Sequence, residues 1–532
     1  MSELERARAL FLAALEAQNA GRLAAAERLY REALQLAPGR PSLLNNLAQV
    51  LREQSRCTEA LEVCAALVVA APDEAQSWIT RAGVWVALGD HLAAAGDLLR
   101  ALQLGPDHPP LRLSLGTALL EAGHTGQAIH SLRRAAAGLP DDPDAACQLA
   151  HALLRAFQPL EALTLCEGVL TRNPQHADAR LNRANALLQL ARYDEALSDY
   201  ARVQQLAPHS PRAWWNESLC RLLLGDFERG WKLYAHGWAN GQRGEQRPRF
   251  AAPDWDGQPV DGDLLVWAEQ GIGDQVLFGT MLKELQPCAR EVIVAVEPRL
   301  LPLFERSLPG LRFMSGRAVA AQLPVAAQVA MGDLGGFLRG NAERFQEQPA
   351  GYLHADPARS QALRSRLRPT GAGLLVGVSW RSRNDHFGTL KSLEPGLLSP
   401  LLAQPGVIAV DLQYGDTTAD RKILHQRHSI TLQHCDDIDN FNDLDGLAAL
   451  IEACDVVVSV SNTTVHLAGA LGKPTLVLLP YALGRIWYWH QQGERSLWYP
   501  SCRLLRQSRA GDWAGPVAEA LAEMKKLTNK IN

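Results

Sequence analysis

No apolar run of about 18 residues occurs in the 532-residue sequence, so nothing in it reads as a membrane-spanning helix. The opening MSELERARAL places charges where a secretory leader needs an apolar core, and the cytoplasm is the expected compartment. A basic excess is missing too. The formal net charge is −4 and the 53 Lys and Arg residues are dispersed, which gives no stripe to follow a nucleic-acid backbone. Cysteine is sparse and irregular: Cys57, Cys64, Cys147, Cys166, Cys220, Cys288, Cys435, Cys454 and Cys502 form neither a CxxC pair nor a compact His/Cys cluster. Packing in a reducing compartment suits such a set better than a disulfide framework or a zinc site. With 47% hydrophobic and 21% charged residues and no disordered tract, the chain reads as folded throughout. Its length corresponds to roughly three globular units.

What is present in the first half is a period. Pro38, Pro72, Pro106, Pro140, Pro174 and Pro208 follow one another at 34-residue steps, and so do Ala26, Ala60, Ala94, Ala128, Ala162 and Ala196. Between these marks lie paired amphipathic patterns such as PSLLNNLAQVLREQ and TEALEVCAALVVAAP. The alanine falls where two helices must approach closely, and the proline ends the second helix. The pattern resembles the tetratricopeptide repeat (TPR) family over about residues 5–240, with a truncated last unit at PRAWWNESLCRLLLGDFERGWKLYAHGW. The resemblance implies an all-α superhelix whose concave groove binds a protein segment.

Polar residues keep the same step inside the first helix of each pair: Asn46, Thr80, Ser114, Gln148, Asn182 and Asn216. Carboxamides and hydroxyls so spaced can hydrogen-bond the backbone of an extended peptide. The set is similar to the asparagine ladder of the O-GlcNAc transferase superhelix, with departures at Thr80, Ser114 and Gln148. The plainer alternative is a solvated groove face.

Residues 241–262, charged and bearing Pro and Gly, read as a linker. Beyond them short apolar runs alternate with helical stretches: 264–269, 291–297, 374–380, 407–413, 455–460 and 475–480. Such alternation predicts parallel sheets covered on both faces. A Pro/Gly-bearing connection at 357–373 separates a lobe at 263–360 from one at 373–510, and residues 511–532 read as a closing helix.

Three motifs carry chemistry. In AEQGIGDQVLF, Gln270, Gly271 and Gly273 form a strand-to-helix loop that sets Asp274 at the carboxyl end of a parallel strand. An N-cap is the plainer role for that aspartate. In SNTTVHLAGALGKPTLVLLP, Ser461, Asn462, Thr463 and Thr464 precede a helix and form either an anion site suited to a diphosphate or an ordinary cap, with His466 one turn inside to support a phosphate or to pack. In SWRSRNDHFGTLKSLEP, Arg381, Arg383 and Lys391 offer cations to phosphates. No Asp-x-Asp dyad stands near either leading strand, so no metal is expected. Gln413 and Tyr414, at the end of a further strand, are candidates for a base or ribose.

Residues 262–510 resemble the ADP-heptose:lipopolysaccharide heptosyltransferase family (glycosyltransferase family nine), especially its TPR-fused bacterial members. The matching features are Gly271 to Asp274, Lys391, and the run from Ser461 to His466 continuing into HLAGALGKPTLVLLP. The resemblance implies a GT-B fold of two Rossmann-like lobes and a closing helix that crosses back to the first lobe. It also implies inverting transfer from a nucleotide-sugar co-substrate, with no cofactor. Asp274 would be general base, Lys391 would meet the donor phosphates, and Asn462, Thr463, Thr464 and His466 would surround the diphosphate. Where that family has an Asp-Thr-Gly turn, this chain has Ser461-Asn462-Thr463, which leaves the donor sugar open.

The two halves together read as a glycosyltransferase whose TPR groove recruits a protein acceptor, of flagellin or adhesin type by the resemblance, for transfer to Ser or Thr. Two alternatives stand beside it: a lipopolysaccharide or other glycan acceptor, and a non-catalytic adaptor with a degenerate transferase domain.

Overall fold

The protein's computed structural model describes residues 2–531 apart from 245–246, 317–319, 321, 347, 385–386 and 483, and of residues 527–531 the backbone alone. Packing divides the chain into two units, Met1–Leu187 and Leu188–Asn532. No helix among the described residues is long and apolar enough to cross a membrane.

The first unit consists of helices packed in sequence, from Glu3–Asn19 to Ala177–Gln189. The small residues of the 34-residue register make the pairing possible. Ala26, Ala60, Ala94, Ala128 and Ala162 are all 0% exposed, and so is Ala196 in the second unit. Gly116 shows how tight the approach is, since a Cβ there would lie 2.5 Å from Leu132 Cγ and 3.3 Å from the Ala128 carbonyl. The prolines stand just past the second helices: Leu23–Leu36 ends before Pro38, and Cys57–Ala70 before Pro72.

The second unit begins within the repeats. Helices Tyr193–Leu206, Pro211–Leu224 and Phe227–Tyr234 precede a segment that leads, apart from residues 245 and 246 outside the described residues, into two parallel sheets. The first sheet has the order β3-β2-β1-β4, from β1 (Leu264–Trp267), β2 (Val292–Val296), β3 (Arg312–Ser315) and β4 (Ala327–Ala330). The second has the order β10-β9-β8-β5-β6-β7, from β5 (Leu374–Ser379), β6 (Val407–Asp411), β7 (Leu432–Gln433), β8 (Val456–Val460), β9 (Thr475–Leu479) and β10 (Cys502–Arg506). Strands β3, β4, β7 and β10 go beyond the six that continuous apolar runs pick out. Each sheet starts in its middle, winds one way, and resumes on the other side of its first strand. The resulting switch points lie between β1 and β4 and between β5 and β8.

The C-terminal helix Ala514–Ile531 packs on the second sheet through Val517, Ala520 and Met524, with Arg503 paired to Glu523 at 2.9 Å. Its described contacts keep it there, where a strap returning to the first sheet was expected. The crossing between sheets is made earlier. Tyr352 N and Leu353 N both donate to Ala470 O, at 2.7 and 2.9 Å, before helix Pro357–Leu367 packs beside Leu444–Ala453.

The helices that end the repeats share one apolar cluster with the sheets. Leu222, Phe227, Trp231 and Tyr234 are buried in it beside Phe278, Trp487 and Trp498. Trp231 Nε1 donates to Arg339 O (2.9 Å) and Gln491 N to Leu223 O (2.8 Å). The physical boundary therefore lies near residue 188, although the pattern of secondary structure changes near 240.

Truncation tests this. Residues 241–532 alone lack Phe227 and Trp231, and removing one buried Phe or Trp costs about 3–5 kcal/mol, against a total stability of about 5–15 kcal/mol. That fragment is expected to aggregate, whereas residues 188–532 are expected to give a monodisperse peak on gel filtration and a cooperative thermal transition.

Candidate functional site

The carboxyl ends of β1 and β2 face those of β5, β6 and β8 across a cleft of about 290 Å³. Its lining includes Gly271, Gly273, Asp274, Lys391, Tyr414, Ser461, Asn462, Thr463 and His466, so the three sequence motifs converge.

Asp274 stands in the first turn of helix Ile272–Gly279, which packs on helix Thr463–Ala470. Gly273 permits that packing, because a Cβ there would come within 3.0 Å of the His466 ring. Half-buried in the cleft wall, the Asp274 carboxyl is pushed up to about 6, first by burial and then by the charge of Glu269, while Lys391 pulls the other way. Burial in turn lowers Lys391 to about 8, against the attraction of Asp274. A carboxyl poised near neutrality beside a buried ammonium is suited to accept a proton.

Both switch points are closed by a side chain. Glu269, just after β1, accepts from Gly332 N, just after β4, at 3.2 Å. Its charge is met by Arg243 Nη2 at 2.8 Å, and Arg243 also bonds Asp333 and lies 4.7 Å from the ring centres of both Tyr234 and Trp238. Asn462, just after β8, donates to Ser379 Oγ (2.7 Å) and Arg381 O (3.0 Å) at the end of β5, and its Oδ1 accepts from Ser459 Oγ and Val465 N.

Several residues therefore hold the site together, where the sequence suggested that they touch a ligand. Asn462 has both amide hydrogens and its oxygen engaged in the protein. Thr464 is fully buried, its hydroxyl turned to Leu412 O (3.4 Å). Gln413 is buried, and its Oε1 accepts from Ser379 Oγ, Trp380 N and Arg381 N at 2.8–3.0 Å. Arg381 pairs with Asp420 at 3.0 Å and donates to Asp416 O, outside the cleft lining. Gln270 donates to Tyr234 Oη and Glu269 Oε1, which anchors the loop from behind. His466 is lowered to about 3 by burial and by Lys391, so it is neutral there, between Tyr499 Oη (3.1 Å) and Tyr488 Oη (3.3 Å).

Other residues enter that sequence reasoning passed over. Arg299 stands in the short helical turn after β2, donates to Phe441 O (2.9 Å) and stacks on the Phe441 ring. Arg383, which the sequence did single out beside Arg381, lines the cleft where Arg381 does not, and also stacks on Phe441. Asn440 is buried, with Nδ2 donating to Asp411 O and Gln413 O, which leaves Oδ1 as a buried acceptor without a partner in the cleft wall. The strand-end position of Arg299 is a signal that could have found it. Asn440 lies in a loop and offers none. Among the described residues no group of three or more His, Cys, Asp or Glu side chains gathers to hold a metal ion.

In the repeats the polar register is largely engaged within the protein. Asn46 donates to Tyr30 Oη (3.3 Å), Thr80 to Asn45, Ser114 to its own helix at Pro110 O (3.2 Å) and Asn182 to Cys147 O (3.0 Å). Asn216 bonds Tyr200. Gln148 is half-buried. All of these bonds but that of Ser114 join one helix to another, which gives the register a packing role of its own.

The raised Asp274 carboxyl predicts a stability signature. Its contribution is fully present below the ordinary carboxylate value of 3.8 and is lost as pH rises through about 6. Asp274→Asn is therefore expected to match the parent at pH 4 and to exceed it at pH 8 by on the order of 1 kcal/mol. Thermal unfolding at both pH values checks this; equal stability at pH 8 would show an unstrained carboxylate.

Comparison with known proteins agrees with the repeat architecture. Tetratricopeptide repeat family models match residues 11–75, 45–109, 113–177 and 153–216. Among curated proteins the chain is similar to Protein FlbA of Caulobacter vibrioides, 29% identical over 90% of this chain and 72% of that protein, a likeness that runs past the repeats into the second unit. Solved structures similar to it include YrrB, a TPR protein with an unusual peptide-binding site (22% identical, 36% of this chain and 98% of that one, TM-score 0.32). Another is a tetratricopeptide repeat protein from Parabacteroides merdae (17% identical, 44% and 94%, TM-score 0.39). By the family models, tetratricopeptide repeats occupy residues 11–216 but for a short gap, and parallel α/β sheets follow them.

Proposed function

We propose that the protein is an inverting glycosyltransferase of GT-B type, which moves a sugar from a nucleotide-sugar to a Ser or Thr hydroxyl of a protein acceptor recruited by the repeats. The observation that carries this reading is the pairing of Asp274, raised to about 6, with the buried Lys391 across a cleft at the carboxyl ends of two parallel sheets.

Asp274 takes the proton of the acceptor hydroxyl as its oxygen attacks the anomeric carbon. The bond from that carbon to the diphosphate breaks, and Lys391, Arg383 and Arg299 receive the departing negative charge. Ser461 and Thr463, in the turn that opens helix Thr463–Ala470, bring hydroxyls and backbone N–H groups to the same place. Tyr414, Phe441 and the unpartnered Asn440 Oδ1 offer aromatic faces and an acceptor to the nucleoside. No step requires a divalent cation. A tetratricopeptide array suits recruitment of a polypeptide, and acceptors of flagellin or adhesin type fit that role.

The reading is tested by incubating the protein with a panel of nucleotide-sugars and comparing the intact masses of candidate acceptors from cells with and without it. A mass increment of one glycosyl residue that depends on the protein supports transfer, and its absence across the panel rejects it. The mechanism has a sharper signature in pH. The base must be ionised and the lysine protonated, so kcat/KM is expected to rise through about pH 6 and to fall through about pH 8. Asp274→Asn should lower turnover by about 10²–10⁴-fold and remove the acid limb, and the parent rate should survive EDTA. An acid limb that persists in the variant would assign it to another group.

A further inference from the structure

The helix that bears Asp274 ends at a second cavity. It measures about 480 Å³, larger than the cleft, and its walls come from several segments. These are the turn after Gly279, the end of helix Leu301–Ser307, Arg339, the short helix Ala342–Phe345 and the crossing segment through Tyr352 and His354.

Charge is unevenly distributed on those walls. Arg339 is buried and directs both terminal nitrogens at Glu284, the single carboxylate among the described lining residues, so these two cancel. Lys283 and Arg344 are left over. Neither has an acidic partner among the described residues, and His354 stands exposed beside them. Two uncompensated cations at the rim of one concave cavity attract a small dianion together, more strongly than either does alone.

The crossing segment gives the cavity a connection to the cleft. Tyr352 Oη donates to Val276 O (2.6 Å), within the helix of Asp274, while Tyr352 N reaches Ala470 O, the end of the helix that Asn462 caps. Gly351 passes backbone against backbone, since a Cβ on it would lie 2.6 Å from Gly472 N. An occupant of the cavity therefore touches the strap that joins the two walls of the cleft.

We infer that this cavity is a second anion site, separate from the cleft, which takes the phosphoryl group of a small phosphate or phosphomonoester between Lys283 and Arg344. The inference does not depend on the transfer reaction. The test uses the full chain carrying Lys391→Met, which weakens phosphate binding in the cleft. Inorganic phosphate and a hexose phosphate are titrated separately, at constant ionic strength, by calorimetry and thermal shift. Saturable one-to-one binding is expected for at least one of them. Adding Lys283→Glu and Arg344→Glu should weaken it at least tenfold and leave the melting temperature without phosphate unchanged, since both side chains are exposed. Tighter binding of the hexose phosphate would identify an organic phosphomonoester as occupant, and equal affinity would identify phosphate itself. Binding that is absent in Lys391→Met, or unaffected by the two added substitutions, overturns the site.

Discussion

Arg243 carries a full charge through the middle of the second unit while its side chain is 0% exposed. Water cannot solvate that charge, so four protein groups do: the carboxylates of Glu269 and Asp333, and the rings of Tyr234 and Trp238. They belong to three different neighbourhoods. Tyr234 and Trp238 end the helices that follow the repeats, Glu269 leaves β1, and Asp333 follows β4. Breaking a buried pair of this kind leaves an uncompensated charge and costs about 3–5 kcal/mol, so these neighbourhoods hold their positions together. Glu269 is also the charge that, after burial, raises Asp274. The requirement to neutralise one arginine thus extends to the ionisation of the cleft.

Each sheet closes its switch point with one side chain, Glu269 in the first and Asn462 in the second. A doubly wound sheet must diverge there, because the loops after adjacent strands turn to opposite faces. The divergence exposes backbone N–H and C=O groups, and a carboxylate or carboxamide with several hydrogen-bonding atoms satisfies them at once. Placing these residues at the switch points leaves the neighbouring positions, Asp274, Lys391 and Thr463, open to the cleft.

The repeats were legible because two registers, proline and alanine, mark the same 34-residue step, and each has a steric cause visible in the sequence. Six strands were legible as continuous apolar runs. Strands β3 and β10 were not, because RFMS and CRLLR mix arginine with apolar residues at the sheet edges, where one side of the strand meets solvent. The cleft was legible as strand-end loops, but the direction of each side chain within a loop was not. Arg381 and Arg383 are two residues apart in one turn, yet one faces Asp420 and the other faces the cleft. Gln413 and Asn440 differ in the same way, and only the surrounding hydrogen bonds decide which amide keeps a free oxygen. The boundary near 188 was hidden because helix pairs continue beyond it, while what they pack against changes.

The bonds from Asn46 to Tyr30 and from Asn216 to Tyr200 join the same two positions of the repeat, five periods apart. Each fixes a helix against the one before it, so it tolerates no change of phase. Length can therefore enter or leave this array only as whole modules, since a solenoid repeat makes contact only with its neighbours. The end that can change is also decided. The last helices are already part of another core, and an added module there would have to reproduce Trp231, Tyr234 and Arg243 in place. Growth and loss are confined to the N-terminal end of the array, and the number of modules can vary there without disturbing the cleft.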